Sequence, residues 1–284
     1  MKLLHPGAAV GCPQCDARGY TLEADGERAI AVRCACTQTC PVCGGSGWTP
    51  ARAEDRRGPM VRCSCQEVER RMRLFKDAQI PARHKDSTLK SFDARDVRTA
   101  PALGQVFRWL AEGGSGLPGR GLVLHGDVGR GKTHLLCALL RELALEHGHS
   151  VRFVEFSHLV ADLKSSFDRG SGAADLLAPL TRVEVLGIDE LGKGRNTEFE
   201  GTVVDEVVSR RYNARTVILA TTNYAPGPSS GLLVPNNARP DQQPRLVDRL
   251  GDRVYSRIEE MCDFVPVHGD DWRQRSRPWA RSAR

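Results

Sequence analysis

GLVLHGDVGRGKTHLL, residues 121–136, changes character twice in sixteen positions. Gly121–His125 is a short apolar run with the length and composition of a buried parallel strand. Gly126, Asp127, Val128, Gly129, Arg130, Gly131, Lys132 and Thr133 then match GxxxxGK[ST]. Leu136, Leu139, Leu140 and Leu143 follow at helical spacing. Strand, glycine loop and helix in that order make a P-loop, in which backbone N–H groups converge on phosphate at a helix N-terminus. Lys132 is expected on the β- and γ-phosphates of a nucleotide and Thr133 on Mg²⁺. Arg130 takes a position usually filled by a smaller residue, and its side chain is expected to project outward.

A P-loop needs an acidic partner on a neighbouring strand. VEVLGIDEL (183–191) supplies it, a near-continuous apolar run ending in Asp189 and Glu190. Asp189 is placed to orient Mg²⁺ through water, and Glu190 to act as general base on the attacking water. A third strand, TVILATTNY (216–224), ends at Asn223, a polar residue suited to orienting water or the γ-phosphate. Between these strands EGTVVDEVVSRRYN (200–213) puts Val203, Val204, Val207 and Val208 on one helical face. SHLVADLKSSFDRGSGAADLLAPL (157–180) reads as two short helices around Gly170–Gly172, with Ser157 and Ser171 as N-caps. YAPGPSSGLLVPNNARPDQQPRL (224–246) reads as a mobile loop.

Eight of the ten cysteines fall before residue 66: Cys12-x-x-Cys15, Cys34-x-Cys36, Cys40-x-x-Cys43 and Cys63-x-Cys65. Shifting the first two pairs by 28 or 29 residues lands on the second two, and CPQCDARGY matches CPVCGGSGW as VRCAC matches VRCSC. An internal duplication follows, each copy a complete four-thiolate zinc site of structural kind. CACTQTCPVC (34–43) is then a seam: Cys34 and Cys36 close one site, and Cys40 and Cys43 open the next. Both CxC pairs are expected at turns or bulges. Disulfides are the main alternative, disfavoured by the lack of a signal-peptide core, and an iron–sulfur cluster is a further one. About 65 residues with few large apolar side chains need metal in place of a core. QEVERRMRLFKDA (66–78) continues as a helix ended by Pro81, and IPARHKDSTLKSFD (80–93) as an extended connection. Val106, Phe107, Trp109 and Leu110 mark another short helix.

The longest apolar stretch, LLCALLRELAL (135–145), is broken by Arg141 and Glu142, so nothing reads as a membrane span, and a cytoplasmic protein is expected. Net charge is +6, and the tail Trp272–Arg284 carries five Arg, two Trp and no acid, a composition suited to phosphate contact and base stacking or to a solvated terminus. The divisions read as a zinc-binding domain at 1–66, a helix and linker at 67–100, an ATPase domain at 101–272 and a basic tail at 273–284.

GDVGRGKTHL, VLGIDELG, RRYNARTVILATTNY, LGDRVYSRIEEMC and GDDWR, in this order over roughly 80–275, resemble the AAA+ helicase loaders of the DnaC/DnaI type and the related IstB transposition ATPases. Separately, CxxCxGxG at Cys40–Gly47 resembles DnaJ cysteine-rich repeats, in one copy only. The AAA+ resemblance implies a P-loop α/β domain with a central parallel sheet flanked by helices, here preceded by the small duplicated zinc ribbon or knuckle domain. It implies Asn223 as sensor 1, Arg257 as an arginine finger acting on ATP of a neighbouring subunit (Arg253 as the backup), and Arg273 as sensor 2. A finger in trans implies a homo-oligomer with ATP at subunit interfaces. Single-stranded DNA is an implied partner, with Lys164, Arg169, Lys193 and Arg195 as basic candidates. Three functions fit: an ATP-hydrolysing loader of a replicative helicase, an IstB-like ATPase serving a transposase, or a zinc adaptor using ATP as a binding switch. The resemblance gives no role to loop 224–246.

Overall fold

The computed structural model describes residues 3–52, 58–92, 97–113, 116–168, 174–194, 197–228 and 244–272. They form two compact units, one of residues 1–86 with 140–151, the other of 87–139 with 152–284.

The first unit carries the duplication in its backbone. Hairpin β1 (Tyr20–Asp25) and β2 (Arg28–Arg33) pairs Tyr20 with Arg33, while hairpin β3 (Trp48–Pro50) and β4 (Met60–Arg62) pairs Trp48 with Arg62. These pairs are related by the same shifts of 28 and 29 residues as the cysteines, so register and sequence repeat together. Cys34 and Cys36 sit in the turn after β2, as expected, whereas the second CxC differs: Cys63 is the N-cap of helix α1 (Ser64–Asp77) and Cys65 lies in its first turn. A helix start supplies the same sharp change of direction as a turn. Val68 and Phe75 bury the inner face of α1, which ends at Asp77 with Ala78 as its C-cap, ahead of Pro81. The connection beyond is not simply extended, since Ala82–His84 make one turn of 3₁₀ helix.

α1 also grips residues 143–148 of the same unit. Glu67 holds both neighbouring guanidiniums, accepting from Arg70 Nε and Nη2 and from Arg71 Nε, each at 2.8 Å. Arg70 then donates to the Gly148 carbonyl at 3.0 Å, and Arg71 to the carbonyls of Leu145 (3.1 Å) and Glu146. These are the open carbonyls of a widened helical turn, Leu143–His147, capped by Gly148 at φ 77°. Cations at a helix C-terminus are favoured there by the local dipole.

The second unit is an α/β sheet in the order β6-β7-β8-β5-β9. Its strands are β5 (Gly121–His125), β6 (Val151–Glu155), β7 (Val185–Asp189), β8 (Val217–Thr222) and β9 (Cys262–Pro266). The β5–β8, β5–β9 and β7–β8 pairs are parallel. The central strands β7 and β8 are buried throughout, which is why their sequences run apolar without alternation. Helices α2 (Ala100–Gly113), α3 (Lys132–Glu142), α4 (Phe156–Asp168), α5 (Ala174–Arg182), α6 (Glu198–Ala214), α7 (Leu246–Leu250) and α8 (Asp252–Met261) join or flank the strands. Val204, Val207 and Val208 of α6 pack into the core with Leu186, Ile188, Ile218 and Ile258. Ser157 is not an N-cap: α4 begins at Phe156, and the Ser157 hydroxyl donates to Glu155 Oε1 at 2.8 Å. Ser171 and Gly170–Gly172, most of loop 224–246, and the tail from 273 lie outside the described residues. No helix among the described residues is long and apolar enough to cross a membrane.

Candidate nucleotide and metal sites

The P-loop leaves β5 at Gly126 and enters α3 at Lys132. Three of its glycines adopt positive φ, and each is crowded: a Cβ on Gly126 would meet the Val267 carbonyl at 2.6 Å, on Gly129 the Asp271 carboxylate at 1.9 Å, on Gly131 the Phe92 ring at 2.7 Å. Glycine therefore serves both conformation and close approach here. Lys132 is buried and donates to the carbonyls of Gly126 (2.7 Å) and Asp127 (2.6 Å), so its ammonium stands at the mouth of the loop. Arg130 does not project outward; it folds back to Asp127 Oδ2 at 3.3 Å. Val128 is exposed at the loop's tip.

Thr133 and Asp189 meet across the β5–β8–β7 seam, the hydroxyl donating to Oδ1 at 3.0 Å or Oδ2 at 3.2 Å. Thr221 of β8 also donates to Asp189 Oδ1, at 2.6 Å. Burial pushes the Asp189 carboxyl above its ordinary range, against these two hydroxyl donors. A buried carboxylate beside a P-loop hydroxyl is a donor set that fits Mg²⁺ with a nucleotide. Glu190 follows in left-handed backbone at φ 57°, its N–H donating to the Thr221 hydroxyl at 2.9 Å. Its carboxylate forms an ion pair with Lys193. The bond to Glu190 raises the Lys193 ammonium above its ordinary value. Asn223 stands half-buried just past the end of β8.

Several groups that frame the site carried no clear signal in the sequence. Arg249 of α7 donates to the carbonyl of Gly192 at 2.9 Å and to that of Gly194, while its guanidinium lies 5.3 Å from the Tyr224 ring centre. It thereby pins the turn that carries Lys193. His134 is hydrogen-bonded to Ser87 (3.3 Å), Ser91 (3.1 Å) and the Thr88 carbonyl (3.0 Å), seating residues 87–92 beside the P-loop. Trp272 N–H donates to the Gly129 carbonyl at 3.1 Å, so the C-terminal GDDW string closes on the same loop. A long-range contact of this kind leaves no local pattern to read.

Arg257 is tied to α6 of its own chain, donating to Asp205 Oδ1 at 2.9 Å and to the Ser209 hydroxyl, with its guanidinium 5.7 Å from the Tyr212 ring centre. Arg253 is far more exposed and 3.7 Å from the same Asp205 oxygen. Lys164 is on α4. Arg169, Arg195 and Arg273 lie outside the described residues.

The eight N-terminal cysteines gather as two sets, Cys12, Cys15, Cys34 and Cys36, and Cys40, Cys43, Cys63 and Cys65, with the sulfurs of each set within 4.8 Å of one another. Sulfurs about 2.3 Å from one tetrahedral cation stand about 3.8 Å apart. The observed separations are 3.9 Å (Cys12–Cys34), 3.5 Å (Cys15–Cys36), 3.7 Å (Cys40–Cys63) and 3.6 Å (Cys43–Cys65). Disulfide sulfurs would be about 2.05 Å apart; all ten cysteines are free thiols. Burial pushes Cys15 up to about 12, whereas a hydrogen bond from the Ala9 backbone and the neighbouring thiols hold Cys36 down at about 6. Cys43 is likewise held at about 6, where N–H groups of Gly47 and Gly45 and the Cys65 thiol outweigh burial. Four crowded sulfurs with inward N–H donors fit a zinc ion in each set.

The profile of the IstB-like ATP binding protein family matches residues 68–280. The replicative helicase loader DnaC of Escherichia coli K12 is 26% identical over 204 residues, covering 70% of this chain and 75% of the loader. A protein of Mycobacterium tuberculosis described as ATP-binding and encoded in an insertion sequence is 30% identical over 174 residues, 61% of each chain. The crystal structure of a DnaC helicase loader superimposes with a TM-score of 0.54 at 26% identity, over 66% of this chain and 99% of that one. DnaA of Aquifex aeolicus bound to AMPPCP, at 19% identity and a TM-score of 0.50 over 65% of this chain and 51% of that one, shares the fold.

Proposed function

Because the chain belongs to the IstB-like ATP-binding protein family, we propose that it is a Mg²⁺-dependent ATPase of DNA replication that loads a replicative helicase and binds single-stranded DNA. The observation that carries the ATPase part is the juxtaposition of Lys132, Thr133 and Asp189 with Glu190 on the adjoining turn. Bound Mg²⁺ supplies charge neutralisation at the phosphates. Thr133 and Asp189 would hold it, Lys132 would bind the phosphates, and Glu190 would take a proton from the attacking water. Asn223 would orient that water, and Arg273 would lie on the nucleotide as sensor 2.

Lys193 adds a restraint on this reaction. While it holds the Glu190 carboxylate, that carboxylate is occupied by the ammonium and would be less free to take a proton from the water. A DNA phosphate that draws Lys193 off would release the base, which couples DNA binding to hydrolysis. Arg257 would complete the site of a neighbouring subunit in trans, with Asp205 and Ser209 presenting it from α8. The two cysteine sets would each hold one structural zinc and shape a module that docks the partner.

The DnaC loader of Escherichia coli favours helicase loading, while the mycobacterial insertion-sequence relative keeps the transposition reading in play. Affinity purification of the full chain from its native host, in ATP against ADP and with or without single-stranded DNA, separates them. Recovery of the replicative helicase is expected; recovery of a transposase in its place overturns the loader reading.

A further inference from the structure

The two copies of the cysteine repeat differ in what they leave uncovered. At β2 the first copy lies against α1, and its Tyr20 is 6% exposed. The equivalent residue of the second copy, Trp48, is 43% exposed. Met60 stands where the first copy has half-buried Ala31, and is 51% exposed; Val61 stands where it has half-buried Val32, and is 45% exposed. Val42 replaces the polar Gln14 and is 60% exposed. The second copy is thus the more apolar at these positions, and the less covered at 48, 60 and 61.

The register sorts these side chains. Trp48 pairs with Arg62 and Pro50 with Met60, so these four share one face of the β3–β4 hairpin, and Val61 lies on the other. Charge differs between the copies in the same direction. Residues 12–36 carry Arg18, Arg28 and Arg33 against Asp16, Glu23, Asp25 and Glu27, whereas 40–65 carry four arginines against Glu54 and Asp55. Trp, Met and Arg on an exposed apolar face form the composition of a protein interface. Base stacking has no use for Met60 at the centre of this face, which disfavours a nucleic acid as the occupant.

We propose that the β3–β4 face of the second cysteine repeat, built on Trp48, Pro50 and Met60 and rimmed by Arg62, docks an apolar segment of a partner protein that is flanked by carboxylates. This deepens the docking role proposed above for the cysteine-rich module. Trp48 and Met60 enter the partner's apolar surface, and Arg62 meets its acids; a carboxylate–arginine pair at the rim sets orientation more than affinity.

The test places a photo-crosslinking amino acid at position 60, or at 48, in the full chain in its native host, with position 31 as the matched site in the first copy. Adducts are mapped by mass spectrometry, and each variant is checked for unchanged bound zinc. Adducts from 60 or 48, absent from 31, on one segment with apolar side chains flanked by Asp or Glu are expected. With that partner purified, Trp48→Ala/Met60→Ala should weaken binding at least tenfold, and Arg62→Glu should weaken it while leaving single-stranded oligonucleotide binding unchanged. Adducts on nucleic acid, on a second copy of this chain, on a segment without carboxylates, or none at all would overturn the proposal. An acidic apolar segment on a transposase would uphold the surface and remove the helicase-loader reading, so the two fail separately.

Discussion

Lys193 and Glu190 face each other across a single turn, and the ion pair would restrain Glu190 in its proposed role as base. Lys193→Ala should therefore raise ATP turnover measured without DNA by several-fold and flatten its stimulation by single-stranded DNA. The same variant should bind that DNA more weakly with a shallower salt dependence; unchanged turnover and binding would remove Lys193 from the mechanism. Arg211 shows a different residue-scale burden. It is fully buried on α6 and donates to the carbonyls of Leu180 (2.8 Å), Val183 (3.0 Å), Glu184 (3.0 Å) and Val217 (2.6 Å). Burial lowers its guanidinium to about 10, still charged at neutral pH. Arg211→Leu leaves those carbonyls without their donor and should destabilise the chain by about 3 kcal/mol or more, read as a fall in the thermal midpoint. In the sequence Arg211 is one of two adjacent arginines on a charged helix, and nothing local marks it as the buried one.

At the scale of elements, the sheet and the cysteine duplication were legible because each is written in a period. β5, β7 and β8 are apolar runs with no alternation, and Val203, Val204, Val207 and Val208 recur at helical spacing. The cysteine copies repeat at a fixed shift that the hairpin registers follow. What escaped were contacts between distant segments: Arg249 on the Gly192 and Gly194 carbonyls, Trp272 on Gly129, and the seating of residues 87–92 by His134. The Cys63 N-cap escaped for a local reason, because a CxC pair fits a turn and a helix start equally well. The Glu67 clamp of α1 yields a pH prediction. Hydrogen bonds from Arg70, then Arg71, outweigh burial and hold Glu67 down at about 2. A depressed carboxyl stabilises the fold above its unfolded value of 4.5, and the contribution is lost as pH falls from there toward about 2. Partly exposed, it is worth about 1 kcal/mol. Glu67→Gln should lower the thermal midpoint at pH 7 and narrow its gap to wild type near pH 3.

At the scale of the whole molecule, the proposed function calls for two zinc ions in the cysteine-rich sets and for an ATPase site completed by a second copy of the chain. Metal analysis should return about two zinc per chain, and Cys36→Ser should lower that by about one; a wild-type value near one would break the two-site reading. Completion in trans predicts complementation. Lys132→Ala and Arg257→Ala should each be inactive alone, by about a thousandfold for the arginine, and mixing them should restore part of the turnover. The claim on which the rest depends is that Thr133, Asp189 and Glu190 form a working hydrolytic site, and the direct measurement is steady-state ATP turnover by the full chain with Mg²⁺ and single-stranded DNA, wild type against Glu190→Gln, with nucleotide binding followed in parallel. The account predicts turnover in the wild type and a loss of at least a hundredfold in the variant, with binding retained; a wild type that binds ATP without turning it over, or a variant that hydrolyses it as fast, would contradict it.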